Sequence, residues 1–232
     1  MLDFNKLISL HLQRDLKAKQ TGRYYPSEVG SCLRKVYYSY KHPKPLEEDL
    51  IKIFETGNIL HSFIVEVLKG EKDPDVKLIN QEVPVKLILK DYVISGRIDD
   101  ILVVKSSGKV YLVEVKSTSM LRAVKSPSKH HILQLQFYMH ATGIHNGMLI
   151  YIEKNTLQTM TFEVDYKDET VKHALERFEI LHRSLLENQS PDAEARRDKD
   201  MHWMCRRCDY YEECYKETPA SKEYPLMKRE NI

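Results

Sequence analysis

Apolar residues recur at helical spacing in the first part of the chain and at strand spacing in the middle. Phe4, Leu7, Ile8, Leu12 and Leu16 predict an amphipathic helix over about 3–20, stopped by Thr21-Gly22. Pro26-Ser27-Glu28 reads as a helix entry that places Cys32 in the first turns of a second helix, running through Tyr37 and Tyr38 toward Pro43. A third helix begins after Pro45, with Leu50, Ile53, Phe54, Leu60, His61, Ile64 and Leu68 on one broad face, and ends near Gly70. The texture then changes to short Val, Ile, Leu and Tyr runs broken by Asp, Gly and Ser, predicting strands at about 77–89, 92–104 and 109–117. A helix over about 129–142 stops at Gly143, strands follow at about 147–153 and 157–164, and Asp168 opens a helix reaching Leu186. Residues 188–202 carry no apolar period and read as a loop before a Cys-rich tail.

With 42% hydrophobic and 30% charged residues in 232, the composition is that of a soluble globular protein. Lys plus Arg number 36 against 34 Asp plus Glu, so any polyanionic partner has to be met by local patches. No apolar run is long enough for a membrane span and the start lacks the order of a signal peptide, so a cytoplasmic protein without a membrane partner is expected.

The hairpin around Ser106-Ser107-Gly108 carries the most chemistry. If Val104 pairs with Lys109, Asp99 falls opposite Glu114 and Arg97 opposite Lys116. Glu114 and Lys116 then share a face while Val115 points the other way. Like charges opposed in an apolar sheet are unfavourable. A solvated cross-strand charge cluster is the plain explanation; a divalent cation such as Mg²⁺ or Mn²⁺ between the acids is the functional one. From Val115 to Ile152 there is no Asp or Glu, whereas Lys116, Arg122, Lys125, Lys129, His130 and His131 fall in that window, a candidate phosphate track. Cys32 stands far upstream of Cys205, Cys208 and Cys214; four thiolates suit either zinc or an iron-sulfur cluster.

Asp99, followed a strand later by Glu114-Val115-Lys116, resembles the PD-(D/E)xK nuclease core, and Gly96-Arg97-Ile98-Asp99 resembles its RecB-type branch. The resemblance implies a restriction-endonuclease-like α/β fold, with a central mixed sheet flanked by helices. It implies a metal site of His61, Asp99, Glu114 and the Val115 carbonyl, catalysis with Lys116, and DNA contacts by Gln134 and Tyr138, with Gln136 a rival for the polar role. One Cys before the core and three after it, with Pro26-Ser27-Glu28-Val29-Gly30-Ser31-Cys32, is similar to the iron-sulfur nucleases of the CRISPR-associated Cas4 family. That likeness implies a 4Fe-4S cluster on Cys32, Cys205, Cys208 and Cys214, stapling the helical amino terminus to the tail. It implies a metal-dependent exonuclease acting on single-stranded DNA or overhanging ends, commonly 5′ to 3′, and a partner in the CRISPR integrase complex during spacer acquisition. The expected organisation is one nuclease unit over 1–232, with its core at about 45–187 and the cluster region at about 26–42 and 200–216. The alternatives are a repair or recombination nuclease of the same chemistry, and a non-catalytic, zinc-stabilised module that binds DNA ends. Oligomeric state is not legible in the sequence.

Overall fold

A computed structural model describes residues 2–227; Met1 and residues 228–232, inside the expected 1–232 unit, lie outside the described residues. In chain order the elements are α1 (Phe4–Leu12), β1 (Arg23–Tyr24), α2 (Leu33–Lys41), α3 (Glu48–Lys69), β2 (Val76–Ile88), β3 (Val93–Val104), β4 (Lys109–Thr118), α4 (Lys129–Thr142), β5 (Asn146–Glu153), β6 (Thr159–Asp165), α5 (Asp168–Glu187), α6 (Glu194–Arg197), α7 (His202–Arg206) and α8 (Tyr211–Glu217). The sheet is mixed: β3 pairs antiparallel with β2 and β4, β4 parallel with β5, and β5 antiparallel with β6. The expected α/β architecture of a central mixed sheet flanked by helices is present.

The β4–α4–β5 crossover lays α4 on one face of the sheet. There Leu112 and Leu149 pack with Leu135, Phe137 and Tyr138 of α4 and with Phe178 of α5. On the other face, Leu60 and Ile64 of α3 meet Leu102, Tyr111, Val113 and Val115. Successive residues of β4 therefore serve different layers, which is the alternation expected of a strand. Asn146 to Ile152 pair with residues of β6, and α4 closes at Gly143 with φ 72°, a left-handed conformation that suits glycine.

One edge of β3 is divided. β4 pairs with it only from Val104 back to Asp100, and β1, parallel, takes Val93 and Ile94. Because β2 runs along the opposite edge from Val93 to Val104, the stretch 95–99 on the β4 side is left without a strand partner. This fork is the feature of the fold that builds the site.

The sequence expectations fail in three places. The first helix ends at Leu12, not Gln20: Leu16 stays 53% exposed, so the helical period continues without a surface to bury it. Cys32 caps α2 from outside and is not in its first turns, because a short 3-10 turn at Pro26–Glu28 is followed by a tight turn and bend over Val29–Ser31. Gly30 in that passage lies so close to α4 that a Cβ there would fall 2.1 Å from the Cβ of His130. Residues 188–202 hold α6 and a 3-10 turn in place of a plain loop.

That segment lacks an apolar stripe because buried arginines anchor it. Arg177 donates to the carbonyls of Val29 and Ser31 (2.5 and 2.7 Å) and forms a two-pronged pair with Glu194 (2.7 and 2.8 Å), which also accepts from the Leu33 N–H. Arg34 reaches the Pro191 carbonyl and Thr218 Oγ1, both at 2.7 Å. Arg196, 1% exposed, donates to the carbonyls of Thr218 and Tyr224 and lies 3.9 Å over the Tyr215 ring. Removing one such side chain strands buried acceptors. Arg196→Ala is expected to lower stability by about 2–4 kcal/mol in urea unfolding and to open the chain beyond Thr218 to limited proteolysis.

Candidate active site at the strand fork

At the fork, side-chain chemistry replaces the missing ladder. The Val115 N–H donates to Asp99 Oδ2 at 2.8 Å. The expected register holds from Val104–Lys109 to Asp100–Val113, then ends. Asp99 is consequently not a ladder partner of Glu114, and Arg97 does not face Lys116; Arg97 turns to the β2 side and pairs with Glu82 at 2.6 Å. Gly96 lies beneath Pro26 and Tyr138: a Cβ there would stand 2.8 Å from the proline ring and 3.0 Å from the tyrosine oxygen. No other residue fits without displacing one of them.

Glu114 is 2% exposed and points to the α4 layer, while Val115 belongs to the α3 layer, as strand alternation predicts. Glu114 Oε1 accepts from Lys116 Nζ at 2.5 Å and from Gln134 Nε2 at 2.7 Å, and Lys116 also donates to Gln134 Oε1 at 3.2 Å. Tyr138, one helical turn beyond Gln134, closes this layer with its hydroxyl 3.5 Å from Gln134 Nε2. The rival Gln136 is committed elsewhere: it donates to the Asp165 carbonyl and accepts from the Lys167 N–H. From the opposite layer, His61 of α3 brings Nε2 to 3.5 Å from Asp100 Oδ2.

Burial dominates the electrostatics. It raises Glu114 to about 7 despite the opposing charge of Lys116. It raises Asp99 as well, against His61, the Val115 N–H and Lys116. Burial pulls Lys116 down, but Glu114 and Asp99 more than offset it and the amine stays above its ordinary value. Asp100 raises His61, with desolvation opposing. Burial and the Lys116 charge lower His130 to about 4, and burial, His130 and Lys116 lower His131 to about 2, so neither adds charge to the basic window at neutral pH. His131 instead meets the Tyr151 hydroxyl at 2.8 Å.

Among the described residues, no three His, Cys, Asp or Glu side chains form a group already able to hold a metal ion. Buried polar atoms nevertheless stand without hydrogen-bond partners at the fork: His61 Nε2, both oxygens of Asp100 and Glu114 Oε2. Buried carboxylate oxygens need a donor or a cation. Oxygen donors with one imidazole suit a divalent ion, and the residues fit that group. Asp100 was not singled out in the sequence. Its signal is its parity with Leu102, which turns an acid toward an apolar layer.

The three remaining basic candidates do not enter this cluster. Arg122, Lys125 and Lys129 are exposed before and at the start of α4, and Lys129 pairs with Asp200 at 2.5 Å. The four cysteines do converge: Cys32, Cys205, Cys208 and Cys214 line one pocket with Tyr38 and Arg196, and none is disulfide-bonded. Burial pushes the thiols of Cys205 to about 12 and Cys208 to about 11, with neighbouring thiols adding to the rise, and raises Cys32. Four soft donors on one pocket fit a metal or cluster that would hold them as thiolates.

This fold and site define a nuclease class. The chain belongs to the PD-(D/E)XK nuclease superfamily, whose model matches residues 57–215. It is similar to the CRISPR-associated exonuclease Cas4 of Saccharolobus solfataricus, 27% identical over 137 residues, covering 58% of this chain and 65% of that protein's length. Among solved structures it resembles SSO0001 (TM-score 0.58, 22% identity, 89% of this chain and 90% of that one). It also resembles the alkaline exonuclease LHK-Exo of Laribacter hongkongensis (TM-score 0.53, 11% identity, 72% and 90%). Both likenesses support the restriction-endonuclease-like fold. Nucleases of this superfamily use divalent metals, which accords with the donor set at the fork. Among the described residues no helix is long and apolar enough to cross a membrane.

The raised Glu114 fixes the sign of a pH effect. Its folded value lies above the ordinary 4.5, so its stabilising contribution is full below that range and is lost as pH rises through about 7. Without divalent ions, the protein is expected to lose stability across this window relative to Glu114→Gln, as read by thermal melts. Mn²⁺ affinity should rise across the same window, since ion and proton compete for the carboxylate.

Proposed function

We propose that this chain is a divalent-metal-dependent DNA exonuclease that degrades single-stranded DNA or overhanging ends from 5′ to 3′, and that it prepares DNA for integration as a CRISPR spacer. The observation that carries the catalytic part is the fork between β3 and β4, where Asp99, Glu114 and Lys116 meet His61 and buried oxygens lack partners. Exonuclease action and the CRISPR setting are supported by the similarity to a CRISPR-associated exonuclease; single-stranded substrate, polarity and an integrase partner are what the family resemblance of the sequence motifs implies.

His61, Asp99, Glu114 and the Val115 carbonyl would hold Mg²⁺ or Mn²⁺. When bound, the ion supplies an activated water and neutralises charge on the scissile phosphate. Lys116 keeps its proton, so it serves as a charged donor that orients the water and offsets phosphate charge, not as a base. Gln134 bridges Glu114 and Lys116 and fixes both before DNA arrives. Burial raises Tyr138, so it also stays protonated, closing the floor beside Gly96 as a donor toward DNA. Arg122 and Lys125 extend positive charge along the surface for the phosphate chain, and Lys129 would join them by exchanging its Asp200 partner for phosphate.

The reading takes residues 1–232 as one nuclease unit, its core at about 45–187, with Cys32 and the tail joined by a 4Fe-4S cluster on Cys32, Cys205, Cys208 and Cys214. The convergence of these cysteines on one pocket supports it. A brown protein with visible absorbance and stoichiometric iron, lost in Cys32→Ser, is the expected result; a colourless zinc protein would replace the cluster by a tetrahedral zinc site.

The decisive assay uses strands labelled at either end, with Mg²⁺ or Mn²⁺. Wild type is expected to release a short product from a 5′ label at the outset. Lys116→Ala should reduce cleavage about 10²–10³-fold, with binding to DNA retained. Binding without cleavage under every metal condition would favour the non-catalytic end-binding module.

A further inference from the structure

The chain places two acids in succession at the fork, and they have different fates. Asp99 spends Oδ2 on the Val115 N–H. Asp100 is fully buried in the layer under α3, paired in register with Val113, and neither of its oxygens has a donor. Its surroundings are apolar: Leu60, Ile64, Val113 and Val115 form this second core. The polar atom that approaches it is His61 Nε2, 3.5 Å from Oδ2 and itself without a hydrogen-bond partner.

A carboxylate kept in such a place without a partner is a poor structural choice, since Leu would fill the volume without any desolvation penalty and Asn without burying a charge. Opposite an imidazole it has a use. A neutral imidazole that coordinates a cation through one ring nitrogen carries its proton on the other, and a carboxylate accepting that proton fixes the tautomer and the ring direction. Such hydrogen bonds are often long before ligands arrive and tighten on binding.

We propose that Asp100 is the positioning residue of the cation site: it accepts from Nε2–H of His61, leaving the other ring nitrogen for the divalent ion. This rests on the metal-site reading above and adds a residue to it. Asp99 and Asp100 thereby divide the work, the first acting at the fork as ligand and the second acting through His61 from the other layer.

The test is Mn²⁺ titration of the full chain without DNA, followed by electron paramagnetic resonance of the free ion. Asp100→Asn is expected to weaken Mn²⁺ binding about 10–100-fold. Its melting temperature without metal should equal or exceed that of wild type. Because Asp100 acts through His61, the double variant His61→Gln/Asp100→Asn should bind no more weakly than His61→Gln alone. Asp100→Leu repeats the measurement should the asparagine amide not be accepted in the apolar layer. Wild-type affinity in Asp100→Asn, or losses that add in the double variant, would overturn the proposal. Failure of wild type itself to bind Mn²⁺ would instead defeat the metal-site reading, so the two failures are distinguishable.

Discussion

Desolvation of like charges at the point where β3 parts from β4 is the constraint around which this protein is organised. Asp100 and Glu114 are drawn into apolar layers with half-buried Asp99 between them, and only part of their hydrogen-bonding capacity is met by Lys116, Gln134 and the Val115 N–H. A sheet that paired fully would have closed the gap with backbone bonds and left no room for chemistry. Here β1 takes the far end of the β3 edge, β4 takes the near end, and the stretch between is furnished by side chains. The resulting charge imbalance is one that a divalent cation would relieve, and burial holds the Glu114 carboxyl above its ordinary range.

The rest of the molecule keeps the fork in place. On one side α4 sets Gln134 and Tyr138 against Glu114, and Gln136 bolts the same helix to the chain entering α5. On the other side α3 delivers His61. The cysteine pocket is held by a separate device. Arg34, Arg177 and Arg196 lace the amino-terminal passage to α5 and the tail through carbonyl acceptors and Glu194. The four thiols therefore line a pocket that hydrogen bonds of the polypeptide hold together.

Much of this was legible in the residues. The β3–β4 register followed from the turn at Ser106–Gly108, and alternation correctly separated Glu114 and Lys116 from Val115, because a two-residue period leaves no freedom in which face a side chain takes. The helical spacing of Gln134 and Tyr138 likewise put both against Glu114. The end of the register was not legible: past Asp100 β4 leaves β3 while its other edge stays paired with β5 as far as Thr118, a partner distant in sequence. Arg97 opposite Lys116 was wrong for that reason, and the anchored segment at 188–202 was read as a loop because its restraints are buried polar contacts, which leave no periodic trace.

Sequence by itself determined the local geometry and the chemical inventory: strand faces, the spans of the helices that pack on the sheet, and the presence of acids, imidazole, amine and thiols at suggestive spacings. Tertiary structure alone decided how that inventory was spent. It set Gln134 rather than Gln136 at the site, sent Lys129 to Asp200, neutralised His130 and His131, and brought Asp100 to His61. The reason is physical: a side chain's charge state and partner depend on how far its neighbours exclude water, and those neighbours come from strands and helices distant along the chain.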